Sequence, residues 1–200
     1  MSAGVVVWFT GLPASGKSTV ALHVAELLRA RRLPVEILDG TEVRQSLSRG
    51  LGFTPEDREE HVRRIGYVAK LLARNGVVAL CASVSPYRAT RDEIRARVVR
   101  FVEVFVDCPV DVAEARDRKG MYRRARAGLI TDFTGVDAPY EPPDRPEVHI
   151  RSDREAPAVA AAAVVRTLDL LHSISAEPAD APAPVGDDDV RRRLAGLGYA

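Results

Sequence analysis

Short apolar runs alternate along the chain with stretches in which apolar residues recur every three or four positions. The runs predict β-strands covered on both faces, because they are short and almost wholly apolar. They lie at residues 5–9, 35–38, 77–82, 101–106 and 147–150. The periodic stretches predict amphipathic helices. These lie at residues 18–31, 54–74, 88–99, 110–116 and 157–172.

The alternation of strands and helices is typical of βαβ units, in which right-handed crossovers join parallel strands. We therefore predict an α/β protein whose parallel sheet of about five strands carries helices on both faces. Ligands of such sheets bind outside the carboxyl ends of the strands. Polar segments follow four of the predicted strands there, at residues 11–19, 39–40, 83–88 and 107. One edge of the sheet thus gathers the polar groups of a candidate site.

The first of these segments is Gly-Leu-Pro-Ala-Ser-Gly-Lys-Ser-Thr, which matches the Walker A pattern G-x-x-x-x-G-K-[ST] between a predicted strand and a predicted helix. Backbone N–H groups of such a loop, together with the helix dipole, bind the phosphates of a nucleoside triphosphate. Lys17 can reach the β- and γ-phosphates, and Ser18 can place its hydroxyl on Mg²⁺. The motif predicts a P-loop NTPase fold. Its nucleotide-binding residues are Gly11, Leu12, Pro13, Ala14, Ser15, Gly16, Lys17, Ser18 and Thr19.

Length and composition suit a globular protein, since the 200 residues are 46% hydrophobic and 28% charged. The net charge of +1 gives no global footprint for nucleic acid or for a membrane surface, so neither partner is expected. Cys81 and Cys108 lie at or near the ends of apolar runs and are predicted to be buried free thiols. The lack of a signal peptide and of a membrane-length apolar run predicts a cytoplasmic location.

Composition also divides the chain. Residues 1–174 are predicted to form the P-loop domain. Residues 175–189, rich in alanine, proline and aspartate, predict a disordered linker. Residues 190–200 predict one short helix, to which the sequence assigns no role.

The chain lacks a guanine-specific Asn-Lys-x-Asp motif, and its length favours a small-molecule kinase over a GTPase. A kinase needs a group that orients the acceptor hydroxyl and cations that neutralise charge. Asp39 could accept the hydroxyl proton or hold Mg²⁺ waters, although it also suits the N-cap of a helix over residues 41–48. Four arginines could clamp an anionic substrate or simply face solvent. They are Arg44, Arg58, Arg63 and Arg64.

An aromatic residue and a basic stretch could also contact the ligands. Phe53 could stack on a base or pack at the margin of the core. The basic stretch from Arg116 to Arg126, with Lys119, lies between helical segments and resembles a mobile element that closes over phosphates. It also fits a solvated basic helix. We call residues 117–143 the lid.

Taken together, segments across residues 5–172 resemble the adenylyl-sulfate kinase (APS kinase) family. The most specific is the run Glu114-Ala115-Arg116-Asp117 through Lys119-Gly120 and Tyr122 to Ala125-Arg126-Ala127-Gly128. Other matching segments lie at residues 8–19, 38–40, 43–44, 51–54, 56–58, 63–66, 68–71, 85–88, 101–107, 133–137 and 139–143.

The resemblance implies transfer of the ATP γ-phosphoryl, with Mg²⁺, to the 3′-hydroxyl of adenosine 5′-phosphosulfate (APS), giving PAPS and ADP for sulfate activation. It implies catalytic roles for Lys17, Asp39 and Ser85. It also implies ATP contacts from Arg116 and Lys119 and suggests a homodimer. The implied APS-binding residues are Asp39, Arg44, Phe53, Arg58, Lys119 and Phe133. Ser85 corresponds to a serine labelled as a phosphoserine intermediate, yet in-line transfer needs none, and a residue before Pro86 also suits a turn.

Four residues of the implied acceptor pocket depart from the family pattern. They are Thr41, Ser48, His61 and Ser83. The family usually has asparagine at positions 48 and 61, and His61 is otherwise expected to be a pH-sensitive surface residue without a ligand partner. Two alternatives therefore stay open. One is a related P-loop kinase that phosphorylates a different small-molecule hydroxyl, and the other is a nucleotide-binding regulatory module without transfer activity.

Overall fold

The computed structural model describes residues 4–174, and the predicted linker and C-terminal helix lie outside this part of the chain. Five strands form one sheet in the order β2-β3-β1-β4-β5, and every neighbouring pair is parallel. They are β1 (Val6–Thr10), β2 (Val35–Asp39), β3 (Val78–Ala82), β4 (Phe101–Asp107) and β5 (Val148–Arg151). The predicted number and parallel arrangement of the strands are confirmed.

Seven helices connect or follow these strands within residues 4–174. They are α1 (Lys17–Ala30), α2 (Gly40–Gln45), α3 (Pro55–Arg74), α4 (Arg88–Ala96), α5 (Val110–Ala115), α6 (Met121–Arg126) and α7 (Pro157–Leu170). The predicted start of α3 is confirmed, because the Thr54 hydroxyl accepts from the Asp57 N–H and Pro55 opens the helix. The predicted end of α4 at residue 99 is wrong. The adjacent β-branched Val98 and Val99 are poor helix formers, and Val98 packs instead on the core.

Two hydrophobic cores cover the sheet, as the helices on both faces require. On one face α1 and α7 pack together over β1, β3 and β4, around Val7, Leu28 and Leu168. On the other face α3 and α4 cover Trp8 and Cys81. Cys81 and Cys108 are both free and buried, as predicted.

A third, smaller cluster lies under the lid, apart from the sheet. Its buried members are Cys108, Ala113, Tyr122, Ala125 and Phe133. The lid therefore has a small core of its own beside the phosphate loop. No helix within residues 4–174 is long and apolar enough to cross a bilayer.

Candidate active site

The phosphate loop connects β1 to α1 at the centre of the sheet edge. Gly11 has a φ of 150°, and a Cβ there would lie 2.4 Å from the Val106 carbonyl oxygen, so the position admits only glycine. Gly16 precedes α1 in a left-handed conformation, and no side chain caps the helix. The first N–H groups of α1 are therefore free to bind an anion, and the helix dipole adds positive potential there.

Lys17 lies inside this loop with only 8% of its surface exposed. Its ammonium donates to the carbonyl oxygens of Gly11, at 3.0 Å, and Leu12, at 2.6 Å. Burial lowers the pKa of Lys17 to about 8, although the negative charge of Asp39 opposes the shift. The loop thus places one buried ammonium where phosphates would bind.

Ser18 and Asp39 meet at the same edge although they lie on α1 and β2. The Ser18 hydroxyl donates to Asp39 Oδ2 at 2.5 Å. The other carboxylate oxygen accepts the Thr41 N–H at 2.8 Å and so caps α2. The two alternatives considered for Asp39 are therefore compatible, because one oxygen caps the helix while the other faces the phosphate loop.

This pair of oxygens fits Mg²⁺. Magnesium in phosphoryl-transfer sites takes one or two protein oxygens and completes its shell with phosphates and water. The described residues contain no cluster of three or more histidines, cysteines or carboxylates that could hold a metal. The donor set of Ser18 and Asp39 therefore suits a metal that arrives with a nucleotide.

The lid reaches this edge at Lys119. Its ammonium lies 3.4 Å from the Thr41 hydroxyl, next to Asp39. Arg116 points the other way along the sheet edge and donates to the Ser152 carbonyl at 3.0 Å, beyond the ends of β4 and β5. The two residues predicted to contact ATP, Arg116 and Lys119, thus lie on opposite sides of the phosphate loop.

Arg44, Phe53 and Arg58 form a compact group on the β2 side. The two guanidinium carbons lie 4.7 and 5.5 Å from the Phe53 ring centroid, and the ring is 45% exposed. Burial lowers the pKa of both arginines, and the positive charge of Arg58 lowers that of Arg44 further. An anion at this place would relieve the repulsion between the two cations.

Arg58 also ties the lid to this group. Its guanidinium donates to the Phe53 carbonyl at 2.8 Å, the Thr134 hydroxyl at 3.1 Å and the Asp132 carbonyl. A cavity of about 440 Å³ opens between the Phe53 loop and the lid. Its lining residues are Phe53, Thr54, Met121, Arg124, Leu129, Ile130, Thr131 and Asp132.

The other two candidate arginines of α3 are engaged elsewhere. Arg63 pairs with Glu59 at 2.8 Å and with Glu93 at 3.0 Å. Arg64 pairs with Glu60 at 2.8 Å. These ion pairs correspond to the alternative in which the two residues face solvent on the helix.

Ser85 lies in the interior, 2% exposed, with a left-handed φ of 41°. Its oxygen accepts the Trp8 indole N–H at 2.9 Å, and its hydroxyl lies 3.2 Å from both Thr10 Oγ1 and the Ser83 carbonyl. These contacts hold the turn after β3. This buried position fits the alternative in which Ser85 is a turn residue before Pro86.

Phe133 is 6% exposed and packs edge-on against Tyr122, with ring centroids 4.9 Å apart. The structure therefore places this predicted substrate-binding residue in the lid core rather than on an open surface. Its backbone N–H donates to Asp137 Oδ1 at 2.6 Å, which fixes the turn of the lid.

The expectation that His61 is a surface residue is wrong, because it is 4% exposed. Its Nδ1 lies 2.9 Å from the Ser48 hydroxyl, so two of the departing positions pair with each other. Burial, with the charges of Arg44 and Arg64, lowers the pKa of His61 to about 4. The ring is therefore neutral near neutral pH.

One buried polar cluster escaped the sequence analysis. Arg91 is 1% exposed and donates to Glu103 at 2.8 Å, to the Ser85 carbonyl at 2.6 Å and to the Glu141 carbonyl at 2.7 Å. The Tyr140 and Thr10 hydroxyls lie 2.9 Å apart beside it. The available signal was Glu103, a charge in the middle of an apolar strand.

The family model described as adenylylsulphate kinase matches residues 3–151. The adenylyl-sulfate kinase of Synechococcus sp. (strain JA-2-3B'a(2-13)) is 60% identical over 145 residues, which are 72% of this chain and 83% of that protein.

Solved structures agree. The APS kinase of Mycobacterium tuberculosis, in complex with AMPPNP and APS, has a TM-score of 0.81 and 39% identity over 84% of this chain and 99% of that one. A hexameric APS kinase from Thiobacillus denitrificans has a TM-score of 0.66 and 33% identity over 88% of this chain and 31% of that one. The chain belongs to the adenylylsulphate kinase family.

Proposed function

We propose that the protein transfers the γ-phosphoryl group of ATP to the 3′-hydroxyl of APS, with Mg²⁺ as cofactor, and releases PAPS and ADP in sulfate activation. One observation carries the proposal. Ser18 of the phosphate loop and Asp39 at the end of β2 lie at the same edge as the Arg44–Phe53–Arg58 group. The lid contacts Arg58 through Thr134, and through Lys119 it contacts Thr41, two residues after Asp39. A donor site and an anion-binding acceptor site thus adjoin.

On the donor side, the phosphate loop and Lys17 would bind the ATP phosphates. The buried ammonium would exchange its carbonyl partners for phosphate oxygens, which are stronger, charge-assisted acceptors. Mg²⁺ held by Ser18 and Asp39 would supply charge neutralisation at the β- and γ-phosphates. Arg116, at the ends of β4 and β5, is suited to contact the rest of the nucleotide.

On the acceptor side, Phe53 offers an exposed ring beside the cavity under the lid, which suits stacking on the APS adenine. Arg44 and Arg58 supply two forked cations that match the negative phosphosulfate group. Lys119, beside Thr41, would lie between the ATP site and the APS site and can neutralise charge as the phosphoryl group moves.

The transfer itself needs only positioning. The 3′-oxygen of APS forms a bond to the γ-phosphorus while the bond to the β–γ bridging oxygen breaks, and ADP departs. Asp39 would orient the attacking hydroxyl and accept its proton. Ser85 need not be phosphorylated, and its buried contacts support a role in holding the turn after β3.

The altered acceptor pocket is compatible with this function. Ser48 and His61 hydrogen-bond each other and leave no unpaired ring nitrogen at Nδ1. The match to the adenylylsulphate kinase family and the 60% identity to an adenylyl-sulfate kinase support APS over another acceptor and over nucleotide binding without transfer.

The test incubates the purified chain with MgATP and APS and measures PAPS by anion-exchange chromatography. We expect PAPS and ADP in equal amounts, and no ADP above background without APS. Lys17→Ala is expected to abolish turnover, and Lys70→Ala, exposed on α3, is the matched control. Nucleotide binding by the wild type without PAPS formation would refute the proposed reaction.

Assembly and location remain predictions. A homodimer is supported only by the family resemblance, and light scattering on the purified protein would test it. A cytoplasmic location suits an enzyme that consumes ATP, and fractionation of the source cells would test it.

A further inference from the structure

Tyr122 connects the lid to the phosphate loop through one hydrogen bond. Its hydroxyl donates to the Pro13 carbonyl at 3.0 Å, across 109 positions of sequence. The Tyr122 side chain is 1% exposed, so the donor of this bond lies inside the protein. Neither the motif nor the roles considered above assign Tyr122 a part in nucleotide binding.

The bond acts on a particular peptide group. All peptide bonds in the described residues are trans, and a trans peptide points its C=O and its N–H in opposite directions. Fixing the Pro13 carbonyl toward Tyr122 therefore aims the Ala14 N–H away from the lid core. Ala14 has a φ of 58°, a left-handed conformation that residues other than glycine adopt only where neighbours hold them.

Tyr122 is itself held rigidly. Its backbone N–H donates to Asp117 Oδ2 at 2.8 Å, and its ring meets Phe133 edge-on. A Cβ on Gly135 would lie 3.1 Å from a Leu12 methyl carbon and 3.6 Å from the Tyr122 oxygen, so the lid backbone approaches the loop closely. Burial raises the pKa of Tyr122, which keeps the hydroxyl protonated and able to donate.

We propose that Tyr122 is a positioning residue, whose hydroxyl orients the Pro13–Ala14 peptide for phosphate binding and thereby couples the lid to the phosphate loop. The inference rests on the proposed function in that the ligand is ATP. Tyr122 lies just beyond Lys119 and Gly120, so a displacement of the lid would reach the loop through this contact. The lid would then set nucleotide affinity as well as cover the acceptor.

The test compares Tyr122→Phe, which removes only the hydroxyl, with Tyr67→Phe, whose ring is 65% exposed on α3. We expect Tyr122→Phe to raise the Kd for Mg·AMPPNP and the KM for ATP about three- to tenfold, as loss of one buried hydrogen bond does. The KM for APS and the melting temperature should change much less, and Tyr67→Phe should match the wild type.

A lowered melting temperature with unchanged Kd for Mg·AMPPNP would assign Tyr122 to stability alone and overturn the inference. If Tyr122→Phe does not fold, Asp117→Ala removes the acceptor of both the Tyr122 and the Lys119 backbone N–H and keeps the Tyr122 hydroxyl, so its loss of affinity is compared with that of Lys119→Ala, which it must exceed. Asp117→Ala must weaken Mg·AMPPNP binding in the same direction, and an unchanged Kd overturns the inference. Wild-type binding of Mg·AMPPNP without PAPS formation would instead refute the proposed function and leave this comparison valid.

Discussion

Replacing Arg91 is expected to destabilise the fold strongly, because Arg91 forms a buried ion pair with Glu103. Arg91 and Glu103 are 1% and 6% exposed, and the guanidinium also satisfies the Ser85 and Glu141 carbonyls. Arg91→Met would keep most of the side-chain volume and remove all of these bonds. Glu103 would remain as a buried charge with one weaker partner.

The magnitude follows from that arrangement. Removing one partner of a buried ion pair costs about 3–5 kcal/mol, mostly because the other charge stays buried. Arg95 offsets part of this cost, since its guanidinium lies 3.2 Å from the other Glu103 oxygen. We therefore expect the free energy of unfolding to fall by about 3 kcal/mol, at the low end of that range. For a domain of this size the melting temperature should fall by roughly 6–12 °C.

The assay is urea unfolding and thermal melting, followed by circular dichroism, on a double-mutant cycle. Glu103→Gln in the Arg91→Met background removes the stranded charge, so the double variant should be more stable than the sum of the two single losses predicts. Arg97→Met is the control, because its pair with Glu93 is 63% exposed on the arginine side and should cost less than about 1 kcal/mol. A loss below about 1 kcal/mol for Arg91→Met, or additive energies, would refute the reasoning.

Three further predictions concern the titrating and reacting groups. Since the Lys17 pKa is about 8, the Kd for MgATP should rise about tenfold between pH 7 and 9 as the ammonium loses its proton. Calorimetry in two buffers should detect proton uptake on binding, and a Kd that does not change with pH contradicts the burial argument. Asp39→Asn should lower kcat at least about 100-fold and weaken Mg·AMPPNP binding much less, because Ser18 and the phosphates still hold Mg²⁺, whereas Glu42→Gln on the exposed side of α2 should change neither. Equal kcat values would remove Asp39 from the chemistry. The pKa of His61 is about 4 in the folded protein and 6.5 in the unfolded chain, so the unfolded chain binds more protons in acid. The free energy of unfolding, measured by urea titration, should therefore fall by about 2 kcal/mol from pH 7 to 5, and by less in His61→Asn. Identical losses in both proteins would exclude His61 as the cause.

Much of the fold and half of the site were predictable because their signals are local. The phosphate loop is a contiguous motif, and the Thr54-Pro55 start of α3 depends on neighbours in sequence. The convergence of Ser18 with Asp39 followed from parallel strands ending at one edge. These conclusions needed no knowledge of distant side-chain contacts.

The remainder depends on long-range contacts that a single sequence does not specify. His61 is buried and pairs with Ser48 across 13 positions, and Tyr122 donates to Pro13 across 109 positions. Phe133 is aromatic in a loop, which suits either a ligand or a core, and only the packing against Tyr122 distinguishes them. Arg91 was indistinguishable in sequence from the many exposed arginines of this chain.

Because β1 is the central strand, the phosphate loop that follows it separates a β2 and β3 side of the site from a β4 and β5 side. Asp39, Phe53 and the positions that depart from the family pattern lie on the β2 and β3 side, whereas Arg116 contacts the β5 side. Asp39 is bonded to Ser18 and so links the β2 side to the phosphate loop, whereas Ser48 and His61 hydrogen-bond each other. We expect substitutions at the Ser48–His61 pair to change the proposed acceptor pocket while the phosphate loop keeps its conformation, so this pair is the place to begin a redesign of acceptor choice.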